Sequence, residues 1–380
     1  MAMRMGFFVL AALLLLAPPA RVQDESCSKF NKCKTSTSKE KVDCPKCAKS
    51  KIASDYAFCP KCAKEADVCS RCGLGKPGAP RKAASGKIED AVKGAGAKSL
   101  RDILTYLSSD ALEGRCAGYP GNVKAAEYIR DNLKKWGFKP GNKGEWFQPF
   151  PIQDRQTQNV IGIIEGTELK DEFVIAGGHY DHVGKEGQAN AGRKKNDQEA
   201  DDAIWNGADD NGSGTTTLLE IARMLGTTSI RCKRSIVMMW FSAEEFGLVG
   251  SKHYANKEPV FPLDKTVAMI NMDMLGRNPD KPYSLGCSGN MDDWKALINK
   301  CNAEVSCPVS IGPSKGSRTD QESFVLKNVP TAGFFSGFHP DYHCQSDHVD
   351  KIAFEKMEKA AKLGLRMVFE LANSPSPPRR

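Results

Sequence analysis

The stretch RSIVMMWFSAEEFG, residues 234–247, runs from eight mostly apolar residues into two adjacent carboxylates, Glu244 and Glu245. A continuous apolar run of this length is typical of a central strand that is covered on both faces. Neighbouring acids at the edge of a core repel each other and lose hydration, so they need a compensating partner. A metal ion would satisfy one carboxylate and leave the other free to handle protons. We therefore expect a buried strand that carries a metal ligand and a proton acceptor to one edge of a sheet.

Helix-like and strand-like segments alternate through residues 99–373. Further strand-like segments are NVIGIIEG (159–166), EFVIAGGHYD (172–181), KTVAMINMDM (265–274) and NVPTAGFF (328–335). Helix-like segments lie at 122–138, 212–225, 291–303 and from about 354 to 371. This alternation predicts an α/β fold, a three-layer sandwich around a mixed, largely parallel central sheet. Ligand sites in such folds lie outside the carboxyl ends of the strands.

The chain divides by composition into five parts: residues 1–23, 24–72, 73–98, 99–373 and 374–380. Residues 1–23 combine Arg4 with the apolar run GFFVLAALLLLA, which predicts a signal peptide and secretion to an extracellular or periplasmic location. That run is short for a membrane span, so we expect no span in the mature protein; an uncleaved anchor is the alternative. Residues 73–98 are rich in Gly, Ala and Lys and predict a flexible basic linker. Residues 374–380, SPSPPRR, predict a disordered tail.

The positive charge is concentrated before the main body. Residues 24–98 contain 17 Lys and Arg against 9 Asp and Glu, whereas residues 99–380 contain 35 against 37. A nearly neutral body has no electrostatic footprint for nucleic acid, so we exclude that partner. The basic N-terminal segment suits an anionic surface or an anionic partner.

Residues 24–72 carry eight of the fourteen cysteines. Six of them form three CxxC pairs: Cys44 and Cys47, Cys59 and Cys62, Cys69 and Cys72. Two thiolates at this spacing fit one tetrahedral zinc ion, which predicts a zinc-ribbon segment with one or two structural zinc ions. Four disulfides are the alternative, because an exported protein meets an oxidising environment.

The remaining six cysteines lie in the main body. Cys301 and Cys307 are close enough in sequence to pair, and Cys344 could pair with a neighbour. The connectivity stays open at this stage, because sequence alone does not determine it.

Polar residues recur where the predicted strands end. Two histidines and three carboxylates form a nitrogen and oxygen set suited to zinc, and one carboxylate can bridge two metal ions. The assignment is His179 and Asp273 to one metal, His343 and Glu245 to the other, and Asp209 to the bridge.

Two further carboxylates have roles beside these ligands. Asp181 lies two residues after His179 and could accept its second ring N–H, which would fix the tautomer. Glu244 is the carboxylate that remains free to take a proton from water. Each fragment alone has a structural explanation, such as a turn with a helix N-cap for ADDNGSG. Their recurrence at successive strand ends favours a metal site. The charged loop 184–205 is interpreted as solvated, and a loop that shapes the cleft is the alternative.

The order HYD, GADDNGSG, AEE, NMD and YH, within residues 99–373, resembles the co-catalytic di-zinc aminopeptidase family. That family includes secreted bacterial leucyl aminopeptidases, and glutamate carboxypeptidase and glutaminyl cyclases are relatives. The resemblance implies a phosphorylase/hydrolase-like zinc exopeptidase fold, two zinc ions and removal of N-terminal residues from peptides or proteins. The five metal positions of the family fall on the five ligands assigned above, and its general base falls on Glu244.

The resemblance implies three more roles. Tyr342 falls where some members place a phenol that stabilises the tetrahedral intermediate. Asp210 follows Asp209 where the family often has a cis peptide, and it lies beside the ligands. Arg318, in the segment GSRTDQESF, is a candidate for substrate contact.

Three alternatives stay open beside an aminopeptidase. A glutaminyl cyclase would use a single zinc ion, whereas the complete set of five ligands favours two. A carboxypeptidase for acidic residues would need a basic pocket, for which Arg318 and Arg277 are the candidates. A receptor-like domain without activity would have lost the metal ligands, which are intact here. The motifs leave exopeptidase and endopeptidase action undecided.

Overall fold

The computed structural model describes residues 41–43, 51–53 and 88–380, except 190, 191, 200, 229, 315 and 317. The chain divides into two units, residues 1–81 and 82–380. In the first unit, strand β1 (Lys41–Asp43) pairs antiparallel with β2 (Lys51–Ala53). The predicted signal peptide and the predicted zinc-binding cysteines lie outside the described residues.

The second unit alternates helices and strands as the sequence predicts. Its strands are β3 (Lys139–Pro140), β4 (Phe147–Ile152), β5 (Arg155–Ile164), β6 (Leu169–His179), β7 (Arg234–Phe241), β8 (Thr266–Met272), β9 (Tyr283–Ser288), β10 (Val309–Pro313) and β11 (Thr331–Phe335). Its helices are α1 (Ile88–Lys93), α2 (Ala97–Leu107), α3 (Pro120–Lys135), α4 (Gly214–Thr227), α5 (Val249–Lys252), α6 (Met291–Asn302), α7 (Gln321–Val325) and α8 (Phe354–Asn373).

All nine strands of this unit belong to one mixed sheet. The order is β10-β9-β11-β8-β6-β7-β5-β3, and β4 pairs with residues 155–160 of β5. The four central strands β11, β8, β6 and β7 run parallel to one another. Antiparallel neighbours flank them, because β9 pairs with β11 and β5 pairs with β7 in that sense. The predicted α/β class and its largely parallel centre are confirmed.

Helices cover both faces of the sheet, and β7 shows why residues 236–241 are all apolar. Every residue from Arg234 to Phe241 is buried. Ile236, Met238 and Trp240 join the core cluster formed with α2, α3, α4 and α8. Val237, Met239 and Phe241 join the opposite cluster, which includes Tyr254 and Phe324. Alternate residues of a strand point to opposite faces, so a strand buried on both sides needs no polar positions.

The predicted linker 73–98 is wrong in its last part, where α1 and the start of α2 lie. The sequence IEDAVK places Ile88 and Ala91 three residues apart, and both are buried against the domain. Residues three and four apart share one face of a helix, so this spacing supports packing despite the Lys and Gly content around it. The domain therefore includes residues before 99.

The prediction of a disordered C-terminal tail is also wrong. The guanidinium of Arg379 forms two hydrogen bonds with the carboxylate of Asp293, at 2.8 and 3.0 Å. Its main-chain carbonyl accepts a bond from Asn290, at 2.9 Å. The guanidinium of Arg380 donates to the carbonyls of Leu263 and Asp264. The tail is thus fixed to the start of α6 and to the turn before β8.

The six cysteines of residues 88–380 are all free and all buried. The structure therefore does not contain the pairing considered for Cys301 and Cys307. Among the described helices, none combines the length and apolar content that a membrane span requires.

Candidate metal centre

The predicted ligands meet at the carboxyl ends of the parallel strands. His179 is the last residue of β6, Asp273 directly follows β8, and Glu244 and Glu245 follow β7. His343 lies in the segment between β11 and α8. Because parallel strands end at the same edge, these positions converge although the sequence separates them by up to 164 residues.

His179 forms one side of the cluster. Its Nε2 lies 3.4 Å from Oδ1 of Asp210, 3.4 Å from Oδ1 of Asp273 and 3.9 Å from Oε2 of Glu244. The side chain is buried, with 2% of its surface exposed. This arrangement brings one imidazole nitrogen and three carboxylate oxygens around a common point.

His343 forms the other side. Its Nε2 lies 3.0 Å from Oδ2 of Asp210 and 3.0 Å from Oε2 of Glu245. The atom is buried and makes no hydrogen bond within the described part of the chain. Its Nδ1 lies 3.1 Å from the carbonyl oxygen of Gly192, which fixes the orientation of the ring.

Asp210 lies between the two histidines, and this corrects the prediction that Asp209 is the bridge. One oxygen of Asp210 faces His179 and the other faces His343, at the distances given above. The carboxylate of Asp209 points elsewhere: Oδ1 accepts hydrogen bonds from Gly276 N, at 2.5 Å, and from Ser213 Oγ, at 2.8 Å.

The cis peptide lies one residue later than the family resemblance implied. The cis bond joins Asp210 to Asn211, not Asp209 to Asp210. Spacing along the chain could not distinguish the two aspartates, because both lie shortly before α4. They differ only in the direction in which the local backbone points each side chain.

Glu244 and Glu245 differ in surroundings. Burial raises the pKa of the Glu244 carboxyl well above its ordinary value. The nearby His179 lowers this pKa, whereas the neighbouring carboxylates raise it further. Burial and the nearby Asp210 carboxylate would also raise the pKa of Glu245, but the adjacent imidazoles of His182 and His343 outweigh them and lower that pKa. Two carboxyl groups whose pKa values are pushed apart suit different chemical roles.

Asp181 is adjacent to His179 as predicted, but its carboxylate has another use. Nδ1 of His179 lies 3.2 Å from the main-chain O of Asp181 and 3.7 Å from its carboxylate. The carboxylate instead accepts hydrogen bonds from the main-chain N–H groups of Glu244, at 3.1 Å, and Glu245, at 3.4 Å. Asp181 therefore fixes the backbone of the glutamate pair, and the carbonyl oxygen is the ring's nearer partner.

His182 is a site residue that the sequence assignment omitted. It is fully buried, and its Nδ1 lies 2.9 Å from Oε1 of Glu245. The same carboxylate faces His343 through its other oxygen. His182 thus holds Glu245 from behind, and its place one residue after Asp181 was the available signal.

Arg115 binds the backbone of segments next to the site, and the sequence assignment also omitted it. Its buried guanidinium donates to the carbonyls of Leu107, Tyr180, Asn206 and Gly207, at 2.6 to 2.9 Å. Burial lowers its pKa to about 10. Nothing in the sequence around Arg115 indicates this role.

A cavity of about 800 Å³ opens beside the cluster. Its lining includes His179, Glu244 and Asp273, the aromatic side chains of Phe335, Phe338 and Tyr342, and Arg318. Burial raises the pKa of the Tyr342 phenol well above its ordinary value, and nearby carboxylates add to this. The phenol therefore keeps its proton and can donate a hydrogen bond into the cavity.

The loop 184–205 is not simply solvated. Lys194 N donates to the carbonyl of His343, at 2.8 Å, and Trp205 Nε1 donates to the carbonyl of Lys194, at 2.8 Å. The loop therefore packs on the segment that carries His343. Another histidine of that segment, His348, faces Glu199 and Asp202 and not the cluster.

The donors fit divalent zinc ions. Imidazole nitrogen and carboxylate oxygen are zinc ligands, and buried carboxylates this close to one another need a cation. A carboxylate with one oxygen toward each histidine can serve two ions.

Comparison with known proteins identifies the family of this chain. The family model described as Peptidase family M28 matches residues 159–368, and the chain belongs to that family. It is 28% identical over 297 residues to aminopeptidase YwaD of Bacillus subtilis, a match that covers 76% of this chain and 60% of that protein. It is 37% identical over 191 residues to aminopeptidase NAALADL1 of Mus musculus, covering 48% and 22%. The chain thus spans less than two thirds of these relatives.

Solved structures share the fold. The LapA aminopeptidase of Legionella pneumophila has a TM-score of 0.60 at 22% identity, with 76% of this chain and 75% of that chain covered. BSAP, a zinc aminopeptidase from Bacillus subtilis, has a TM-score of 0.56 at 18% identity, covering 74% and 96%. Glutaminyl cyclase of Porphyromonas gingivalis has a TM-score of 0.59 at 18% identity, covering 72% and 98%. At these identities the likeness concerns the fold alone.

Proposed function

We propose that this protein is a secreted zinc-dependent aminopeptidase that removes N-terminal residues from peptides or proteins. The observation that carries the proposal is the position of Asp210, whose two carboxylate oxygens face two different histidines. A shared carboxylate is the arrangement that two-metal hydrolases need. His179 and Asp273 would hold one zinc ion, His343 and Glu245 the other, and Asp210 both.

Zinc ions held by these residues would supply Lewis acidity, which would polarise the scissile carbonyl and make water nucleophilic near neutral pH. Glu244 takes a proton from the attacking water and then gives it to the departing amine. Its carboxylate is nearly buried beside His179, so it is largely shielded from bulk solvent. Tyr342 lines the same cavity and donates a hydrogen bond to the oxyanion.

The carboxylates also explain a preference for a free N-terminus. An α-amino group can donate hydrogen bonds to the carboxylate oxygens of Glu244, Asp273 and Asp210, all of which line the cavity. An acylated N-terminus has fewer N–H groups to donate. Phe335 and Phe338 line the same space, so an apolar first residue fits better than an acidic one.

A metal count paired with a peptide panel tests the proposal. The zinc content of the wild type should exceed that of a His179→Ala/His343→Ala variant by two ions per chain. Leucyl and phenylalanyl peptides with free N-termini should be cleaved, and their N-acetylated forms should not. A difference of one ion with cyclisation of N-terminal glutamine would indicate a glutaminyl cyclase. Cleavage from the C-terminus of acidic peptides would indicate a carboxypeptidase with Arg318 in its pocket.

The N-terminal segment has its own proposal. The three CxxC pairs of residues 44–72 support one or two structural zinc ions, and the basic charge of residues 24–98 supports binding to an anionic surface. Thiols that become titratable only after chelation would support zinc, whereas thiols absent under all non-reducing conditions would support disulfides. Binding to an anionic polymer should weaken as salt is added.

A further inference from the structure

Asp347 binds the backbone that presents Asp210. Its Oδ2 accepts hydrogen bonds from the main-chain N–H groups of Asp209, at 2.8 Å, and of Asp210, at 3.2 Å. Its main-chain oxygen accepts a third bond from Ala208 N, at 3.0 Å. Three consecutive amides therefore end on one residue, whose side chain is fully buried. A carboxylate holds N–H donors more strongly than a neutral acceptor does.

The same residue connects three segments of the site. Asp347 lies four residues after His343, and its N–H donates to the carbonyl of Cys344, at 3.2 Å. Its Oδ1 lies 3.3 Å from the guanidinium of Arg277, which follows Asp273 by four residues. The segments that carry His343, Asp210 and Asp273 thus meet at one buried carboxylate.

We propose that Asp347 is a positioning residue, which sets the direction of the Asp210 carboxylate between His179 and His343. The inference rests on the proposed function, because the direction of Asp210 matters only if Asp210 binds two zinc ions. A side chain that aims a metal ligand without touching the metal typically contributes about 10–100-fold to metal affinity. Loss of Asp347 should weaken the binding of zinc by about that factor.

Asp341 offers a matched control. It is buried, it forms an ion pair with the same Arg277, and it also accepts hydrogen bonds from Ser346 and Lys351. Its carboxylate accepts no bond from the amides of residues 208–210 among the described contacts. Replacement of either aspartate by asparagine therefore removes one negative charge beside Arg277, but only Asp347→Asn disturbs the acceptor of those amides.

The experiment titrates zinc into chelator-stripped full-length wild type, Asp347→Ala, Asp347→Asn and Asp341→Asn, and also measures kcat and KM. The cysteine-rich segment is present in every protein, so its zinc cancels in the comparison. Zinc affinity should fall about 10–100-fold in Asp347→Ala and less in Asp347→Asn, whereas Asp341→Asn should stay close to the wild type. The fall should appear in kcat once zinc is limiting, without a matching rise in KM.

Wild-type affinity in Asp347→Ala would overturn the inference and leave the metal site intact. If Asp347→Ala does not fold, Asp347→Asn and Asp341→Asn decide the matter, and equal zinc affinities for these two would overturn it. A wild type that takes up no zinc beyond that of the His179→Ala/His343→Ala variant would instead overturn the proposed function, and the inference with it.

Discussion

Glu244 and Glu245 are adjacent in the chain, yet their carboxylates face different histidines. Oε2 of Glu244 lies 3.9 Å from Nε2 of His179, whereas Oε2 of Glu245 lies 3.0 Å from Nε2 of His343. The N–H groups of both glutamates donate to Asp181, which fixes the backbone between them. The two residues therefore have different surroundings. Glu245 has a histidine beside each oxygen, whereas Glu244 lines the cavity.

Glu244→Gln should separate catalysis from metal binding. The amide keeps the shape of the side chain but cannot accept the proton from water. We expect zinc content to stay at the wild-type level while kcat falls by a factor of about 10²–10⁴. Near-wild-type hydrolysis by this variant, with zinc retained, would exclude Glu244 as the proton acceptor.

Asp210→Asn should weaken zinc binding, whereas Asp209→Asn should weaken the fold. Asp210→Asn weakens a shared ligand, so zinc affinity should fall by at least about 10–100-fold, with activity lost in parallel. Asp209→Asn should keep its zinc, because that carboxylate binds Gly276 and Ser213, but should unfold more easily by about 1–3 kcal/mol. Metal analysis and urea unfolding measure both quantities. The reverse result, zinc lost only from Asp209→Asn, would restore Asp209 as the bridge.

The sequence predicted the sheet and most of the site because both depend on strong local patterns. A fully apolar run such as residues 236–241 can be buried on both faces only in the centre of a layered sheet, and polar residues at its end must then lie at the sheet edge. The roles of Asp210 and Asp347 depend instead on which backbone N–H groups point at a carboxylate. Side-chain identity carries no information about that, so the bridge was assigned to the wrong aspartate.

Composition also concealed periodicity at the domain boundary. The Gly and Lys residues around Ile88 and Ala91 suggested a linker, although these two apolar side chains are spaced for one helical face. The tail was misjudged in a similar way, since Arg379 and Arg380 find fixed carboxylate and carbonyl acceptors only in the folded chain.

Arg115→Met should destabilise the domain strongly. Four buried carbonyl groups would lose the bond that Arg115 donates, and among the described contacts only Gly207 O keeps a second bond, from Gly212 N. An unsatisfied buried acceptor is costly, so we expect a loss of at least about 3 kcal/mol in the free energy of unfolding. Arg130→Met is the control, because its ion pair with the exposed Asp131 should contribute less than about 1 kcal/mol. Urea denaturation of both variants gives the comparison, and equal midpoints would contradict the role of Arg115.

The six cysteines of the domain should react slowly and should all be thiols. Burial raises the pKa of Cys116, Cys287, Cys301 and Cys307 to about 12, so almost no thiolate forms near pH 8. Iodoacetamide should leave them unmodified in the native protein and should label all six in urea without reductant. A peptide in which Cys301 is linked to Cys307 would contradict the free state, and mass spectrometry detects either product.

The contact between the tail and α6 should fail in acid. Hydrogen bonds from the side chain and main chain of Arg379 hold the pKa of Asp293 below its ordinary value of 3.8. A depressed folded-state pKa means that the stabilisation is fully present above pH 3.8 and is lost as pH falls through the folded-state value. The thermal midpoint of Asp293→Asn should therefore lie below that of the wild type at neutral pH, and the difference should shrink below pH 3.8. Asp292→Asn removes the same charge from the same helical turn but leaves the contact to Arg379 in place, so its difference from the wild type should not follow this pattern. Coincident curves for the two variants would show that the tail contact adds no measurable stability.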